Sequence, residues 1–215
     1  MAKNRLCGLD EAGRGALAGP LVAAAVILPC CRNTISRRAN ITLRDGKLLR
    51  APQRQKIYSV LKKVQSEIFV EVISTRSINN HGIGWANREI FRRLIKKIKS
   101  GRFIVDGNLK LGRIAGKTNR IRSVIDADAT IPEVICAGIV AKVERDKIMS
   151  GLHNKFPHFG WKKNAGYGTP AHITAIQKYN TTRFHRGIFV TTALKKAVDR
   201  SGWGAVPPGR SRSVG

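Results

Sequence analysis

The chain has 215 residues, 42% of them hydrophobic, and carries 40 Lys and Arg against 13 Asp and Glu for a net charge of +27. That length and apolar share bury a core without disulfide or metal staples, fit one domain, and exclude bulk disorder, collagen and coiled coil. A charge this large repels itself in isolation and suits a polyanionic partner, nucleic acid first and an anionic membrane surface second.

Arg5 to Asp10 reads as a short apolar strand, followed by a glycine-rich turn from Ala12 to Pro20 and a continuous buried-type strand from Leu21 to Leu28. Pro29 to Arg44 is polar and irregular. Pro52 opens a helix whose Ile57, Val60, Leu61 and Val64 share one face. Glu67 to Thr75 alternates as a strand, and Trp85 to Ile98 is an amphipathic helix with Arg92, Arg93, Lys96 and Lys97 on its solvated side. Arg102 to Asp106 is a buried strand stopped by Gly107-Asn108, and Arg120 to Ile125 is another strand. Thr130 and Glu133 have capping-box spacing, with Pro132 in the first turn of a helix reaching about Met149. Gly166 to Thr169 is a turn, Thr169-Pro170 starts a helix, and a last helix covers Phe189 to Arg200. The pattern predicts an α/β core over 1–150, a helical segment over 151–200 packed on it, and a disordered basic tail over 201–215.

The longest apolar run, Leu21 to Pro29, is far short of the roughly 20 residues of a spanning helix. Cys7, Cys30, Cys31 and Cys136 show no paired framework, which predicts a reduced, cytoplasmic protein. No spacing of Cys and His suggests zinc.

The acidic residues carry the information. Asp10 and Glu11 close the first strand, Asp106 closes a later one, and Asp126 and Asp128 close another. Ligands of α/β sheets gather at strand ends near a topological switch. Carboxylates crowded there raise one another's pKa unless a cation intervenes, and oxygen-only ligands suit Mg²⁺ or Mn²⁺. In a basic protein such a site suits phosphodiester hydrolysis with two metals ~4 Å apart. Surface loop acids are the plainer reading, and composition alone does not separate the two. Two glycine patterns are near misses. Gly13-x-Gly15-x-x-x-Gly19 has one residue too many for a dinucleotide fingerprint and is followed by a strand. Gly112 to Thr118 is one residue short of a phosphate loop and follows no strand.

Asp10-Glu11-Ala12-Gly13-Arg14-Gly15-Ala16-Leu17-Ala18-Gly19-Pro20 resembles the N-terminal signature of the ribonuclease HII family. Asp45-Gly46-Lys47, Gly82 to Asn87, Val105 to Asn108, Ala141 to Asp146 and Gly166 to Thr169 continue the resemblance in order, from about residue 5 to 198. The related HIII type carries Gly-Lys-Gly where this chain has Gly13-Arg14-Gly15, and an extra N-terminal domain. The resemblance implies an RNase H-like fold: a mixed five-stranded sheet flanked by helices, with a helical C-terminal extension. It implies a monomeric endonuclease, with Mg²⁺ or Mn²⁺ in a two-metal site. Its substrates would be RNA–DNA hybrids and duplex DNA holding ribonucleotides, cut 5′ to the ribonucleotide to leave 3′-hydroxyl and 5′-phosphate ends.

By position the resemblance assigns Asp10, Glu11, Asp106 and Asp128 as catalytic metal ligands, and Gly13, Arg14, Gly15, Lys47 and Tyr167 to the substrate. An ungapped count back from Ala141-Lys142 puts Asp128 on the family's aspartate. Asp126 falls on a spot often basic there; it either shares the metal or only perturbs it. Gly13 and Gly15 would let backbone approach a ribose, Arg14 would bind the adjacent phosphate, and Tyr167 would stack on a sugar or base. Gly46 and Gly138 replace usual serines. Gly138 costs ~1 kcal/mol of helix propensity relative to alanine and is expected to leave the metal ligands untouched.

Other features read more plainly. Lys142 and Asp146 form a helix-face ion pair, and His153, His158, His172 and His185 are mostly surface or caps. Arg183, Arg186, Lys195 and Lys196 are candidates for a duplex-backbone patch. Two alternatives stand: a non-catalytic basic nucleic-acid-binding protein, and a nucleotide phosphohydrolase using Gly112 to Thr118.

Overall fold

Strands β1 (Leu6–Ala12), β2 (Leu21–Ile27), β3 (Glu67–Ile73), β4 (Arg102–Asp106) and β5 (Ile121–Val124) form one mixed sheet in the order β3-β2-β1-β4-β5. The structure is a computed structural model and describes residues 5–29, 32–43, 46–99, 101–117 and 120–201. Cys30, Cys31, Asp45, Thr118, the Lys47 side chain and the tail from residue 202 lie outside the described residues. β2 is antiparallel to both neighbours, whereas β1, β4 and β5 run parallel. Both faces of β2 are covered, which is why seven apolar residues in succession, LVAAAVI, are all buried.

The helices are α1 (Arg32–Ala39), α2 (Ala51–Lys63), α3 (Thr75–His81), α4 (Ile83–Lys97), α5 (Ala127–Thr130), α6 (Pro132–Lys155), α7 (Trp161–Asn164), α8 (Pro170–Tyr179) and α9 (Gly187–Ser201). On one face of the sheet, Ile90, Phe91 and Leu94 of α4 pack with Leu9, Phe103 and Val105. On the other, Ile57 and Leu61 of α2 and Ile135, Ile139 and Val140 of α6 pack with Ala24 and Val26. A third cluster joins Leu17 and Ala18 of the β1–β2 loop to Met149, Phe159, Trp161, Ile176 and Val190. α6 passes through residue 150 without a break. It lies directly on β1 at Gly8, where a Cβ would stand 2.3 Å from the backbone of Glu133 and Val134.

Several local expectations are corrected. α1 occupies part of the stretch read as irregular; among its described side chains only Ile35 and Ala39 are buried core, too sparse for a periodic signal. The strand expected to reach Thr75 stops at Ile73, because Ser74 caps α3 by accepting a hydrogen bond from the Ser77 amide at 3.1 Å. The Thr130–Glu133 capping box does not form: Thr130 ends α5, and Ile131 is the N-cap of α6 without a side-chain cap. The phosphate-loop candidate is a helix stop. Lys117 Nζ donates to the carbonyls of Ile95, Lys96 and Ile98 at 2.6, 3.2 and 2.5 Å, closing the end of α4. The ammonium that would have met a phosphate neutralises a helix C-terminus instead.

Candidate active site

β1 and β4 are parallel neighbours, with Leu9 opposite Val105, so Asp10 and Asp106 stand one step further along at adjoining strand ends. Side chains alternate along a strand, so Asp10 and Glu11 face opposite sides of β1, yet both line the same cleft, just beyond the last pair that β1 makes with β4. After β5 the chain turns through Asp126 in a left-handed conformation (φ 56°), and the short α5 carries Asp128 back to the β4 end. There the Asp128 amide donates to Asp106 Oδ1 at 3.2 Å. Asp128 is buried, whereas Asp126 is exposed and absent from the cleft lining.

The cleft measures about 420 Å³, with Asp10, Glu11, Asp106 and Asp128 on one side and Arg14, Arg54, Lys142 and Tyr167 around them. Burial, followed by the charge of Glu11 and then of Asp106 and Asp128, pushes the Asp10 carboxyl well above its ordinary range. A hydrogen bond from the Glu11 amide to Asp10 Oδ1 at 2.7 Å opposes that shift. Glu11 in turn pairs with Arg14 at 3.2 Å. Oxygen-only donors suit a hard divalent cation, and a cation would relieve the crowding that raises Asp10. Among the described residues no three carboxylates are drawn around one point as a preformed cage. The fit therefore rests on donor chemistry and convergence.

The two glycines assigned to the substrate differ. A Cβ on Gly13 (φ +93°) would fall 2.0 Å from Arg145 Nε, so its missing side chain makes room for an arginine inside the protein. A Cβ on Gly15 would meet nothing within 4 Å, and this is the glycine that leaves the cleft side open. Gly138 also departs from expectation. A Cβ there would lie 2.3 Å from Asp10 Oδ2, so the position expected to leave the ligands untouched is filled by one of them. Tyr167 is exposed on the cleft rim, its ring 5.5 Å from the Arg145 guanidinium and 5.9 Å from Lys142 Nζ.

Arg54 and Lys142 were not predicted as site residues. Arg54 donates to the carbonyls of Gly46 and Leu49 at 3.2 and 2.5 Å and meets Asp146 at 3.5 Å. Lys142 pairs with the same Asp146 at 2.7 Å, as its spacing predicts. The Lys142–Asp146 spacing was legible, but its position on a cleft wall was not. Arg186, read as part of a surface patch, is fully buried, while Arg183, Lys195 and Lys196 are exposed. His172 and His185, read among surface histidines, are buried around Trp161.

Residues 7–192 match the family model described as Ribonuclease HII. A ribonuclease HII of Pelagibacter ubique is 38% identical over 186 residues, covering 86% of this chain and 95% of that protein. Among solved structures, ribonuclease H2 of Pyrococcus horikoshii superposes with a TM-score of 0.70 at 24% identity, covering 89% of this chain and 98% of that one. A Bst ribonuclease HIII in complex with Mn²⁺ gives 0.66 at 18% identity, covering 94% and 71%.

Proposed function

The chain belongs to the ribonuclease HII family of endoribonucleases, and from that premise we propose that its cleft cuts the RNA strand of RNA–DNA hybrids and duplex DNA 5′ to an embedded ribonucleotide. The observation that carries this reading is the convergence of Asp10, Glu11, Asp106 and Asp128 from three separated segments on one cleft with a basic wall. Asp10, Glu11, Asp106 and Asp128 would hold divalent cations, Mg²⁺ or Mn²⁺; the likeness to a Mn²⁺-bound ribonuclease HIII supports that choice. Bound there, the cations would make a water more acidic for in-line attack at phosphorus and stabilise the departing O3′.

The chain's own residues do the rest. Rigid strand ends hold Asp10 and Asp106 in place, and the Asp128 amide braces Asp106. Arg14, Arg54 and Lys142 neutralise the approaching sugar–phosphate chain. The open side of Gly15 admits a ribose edge, where the 2′-hydroxyl distinguishes RNA from DNA. The exposed ring of Tyr167 offers a stacking face beside it. The Lys47 side chain, lying outside the described residues, remains a phosphate contact by resemblance.

Residues 1–150 form the catalytic core in this reading and 151–200 a helical segment against it. The protein acts as a monomer in the cytoplasm. Cys7 and Cys136 are buried, and no helix among the described residues is long and apolar enough to cross a membrane.

The test is cleavage of a DNA duplex holding one ribonucleotide, in Mg²⁺ or Mn²⁺, with Asp128→Asn and Asp126→Asn side by side. Asp128→Asn is expected to lose about a hundredfold or more in kcat and Asp126→Asn to stay within a few-fold, the scale set by removing a group that organises transition-state charge. Loss confined to Asp126→Asn would overturn the assignment. Tight binding of hybrids left intact in either metal would favour the non-catalytic alternative.

A further inference from the structure

Arg145, on α6, and Arg186, one residue before α9, are both 0% exposed, and their guanidinium groups are turned onto backbone carbonyls. Arg145 donates from Nε to Pro20 at 3.0 Å, from Nη2 to Ala18 at 3.0 Å and from Nη1 to Ala165 at 2.8 Å. Arg186 donates from Nε and Nη2 to Gly19 at 3.0 and 2.9 Å, and from Nη1 to Arg14 at 2.9 Å. Four carbonyls of the single loop joining β1 to β2 are thereby held by two planar forks. Main-chain bonds tie the same loop to the C-terminal half: the Leu17 and Ala18 amides donate to Gly166, the Gly19 amide to Phe184, and the Arg186 amide to Leu17. The Arg145 fork also fills the space beneath Gly13 and lies under the ring of Tyr167.

Burying a guanidinium is costly, and an apolar side chain of similar volume often serves stability as well or better. What the guanidinium adds is geometry: a fixed planar array of donors that lysine cannot reproduce. We propose that Arg145 and Arg186 are positioning residues that clamp the Arg14–Pro20 loop and Tyr167 into one rigid frame, so that Arg14 and Gly15 meet the ribonucleotide at a fixed place. Neither residue touches the substrate. Arg186 acts through the Arg14 carbonyl, and Arg145 through Ala18, Pro20 and the ring of Tyr167. This inference rests on the reading of the Arg14–Gly15 loop as the ribose-recognising element.

The experiment compares the unmodified chain with Arg145→Lys and Arg186→Lys, which keep the charge and lose the fork. On duplex DNA with one ribonucleotide, each variant is expected to lose about tenfold or more in kcat, the scale of a misplacement of an ångström or less. Kd for an all-DNA duplex is expected to stay within about twofold, since phosphate contacts dominate that affinity. A folded variant with unchanged kcat overturns the clamp, as does one whose kcat loss only tracks its unfolded fraction. Hydrogen exchange gives a second readout, independent of cleavage. The amides of Leu17, Ala18 and Gly19, bonded to main-chain carbonyls, are expected to exchange at least about tenfold faster in folded Arg145→Lys and Arg186→Lys than in the unmodified chain, and unchanged protection overturns the proposal. Failure of the unmodified chain to cut at a ribonucleotide would instead overturn the functional reading, and hydrogen exchange would still decide the clamp.

Discussion

Gly13 and Gly15 sit two positions apart in one motif, and the fold gives them opposite duties. At Gly13 a methyl group would strike the buried Arg145 and would have to adopt φ +93°. Gly13→Ala is therefore expected to lose about 1–3 kcal/mol of stability, the usual cost of strained backbone with a forced contact, measured by urea unfolding. At Gly15 the same methyl meets open space. Gly15→Ala should unfold within about 0.5 kcal/mol of the parent while cutting an embedded ribonucleotide less well, because in the proposed reading the added group would stand where the ribose approaches. Equal destabilisation by both changes would refute this division. Motif spacing marks both glycines but cannot separate them, since the difference lies in what stands opposite each. Asp126 and Asp128 pose the same kind of problem. Counting residues favours Asp128, and the left-handed turn at Asp126 is what sends one acid outward and the other back to Asp106.

At the level of elements, two connections set the behaviour of whole helices. Lys117 closes α4 by bonding its last carbonyls, so Lys117→Ala should cost about 1 kcal/mol, the range of a helix-terminal charge and cap, and leave cleavage unchanged. In the C-terminal helices, Trp161 Nε1 donates to His172 Nε2 at 3.0 Å and His172 Nδ1 meets the Tyr167 carbonyl at 2.9 Å, which requires the Nδ1–H tautomer. The Thr182 amide donates to His185 Nδ1 at 2.9 Å, leaving the proton on His185 Nε2, 3.3 Å from His172 Nε2. Both imidazoles are thus satisfied in the neutral form. Burial pushes His172 down; burial, then the charge of His172, pushes His185 down to about 4 from an ordinary 6.5. The unfolded chain therefore takes up a proton first as the pH falls. The stabilisation is complete above about pH 6.5 and is lost toward pH 4, a difference on the order of 3 kcal/mol. Urea midpoints at pH 7 and pH 5 should diverge more for the parent than for His185→Gln, and identical pH dependence would contradict this account. The helices themselves were legible from periodicity and the Thr169-Pro170 start. The histidine pair was not, because its members are thirteen residues apart and meet only through the packing of Trp161.

Over the whole molecule, the excess of positive charge faces a cleft at the ends of the central strands β1 and β4. Four of the acidic side chains, Asp10, Glu11, Asp106 and Asp128, line the cleft, and Arg14, Arg54 and Lys142 line it with them. Arg183, Lys195 and Lys196 are exposed too, and in the proposed reading they offer further phosphate contacts. Duplex binding should weaken by roughly a thousandfold or more between about 50 and 200 mM salt if six or more phosphates are engaged. Replacing Lys195 and Lys196 together by alanine should lower the slope of log K against log salt by up to about 2 without changing kcat. A salt-independent affinity would remove the electrostatic role of this surface.

The alternation of short-range patterns was enough to place five strands, the long helix and the acids Asp10, Glu11 and Asp106 toward strand ends, because strand periodicity, glycine turns and carboxylate position are local properties; Asp126 and Asp128, read as closing a strand, instead cap and enter α5 after β5 has ended. Composition was enough for the polyanionic partner. Which acids meet, which glycine faces outward, and which arginines are buried depended on segments distant in the sequence coming together, up to 172 residues apart for Arg186 and Arg14. In the sequence Arg145 is one member of a matched motif and Arg186 one of a basic group among 40 Lys and Arg; only the packed loop beneath them, with its carbonyls turned inward, shows that both are buried, since a guanidinium inside a protein needs acceptors for its donors and here backbone oxygens supply them.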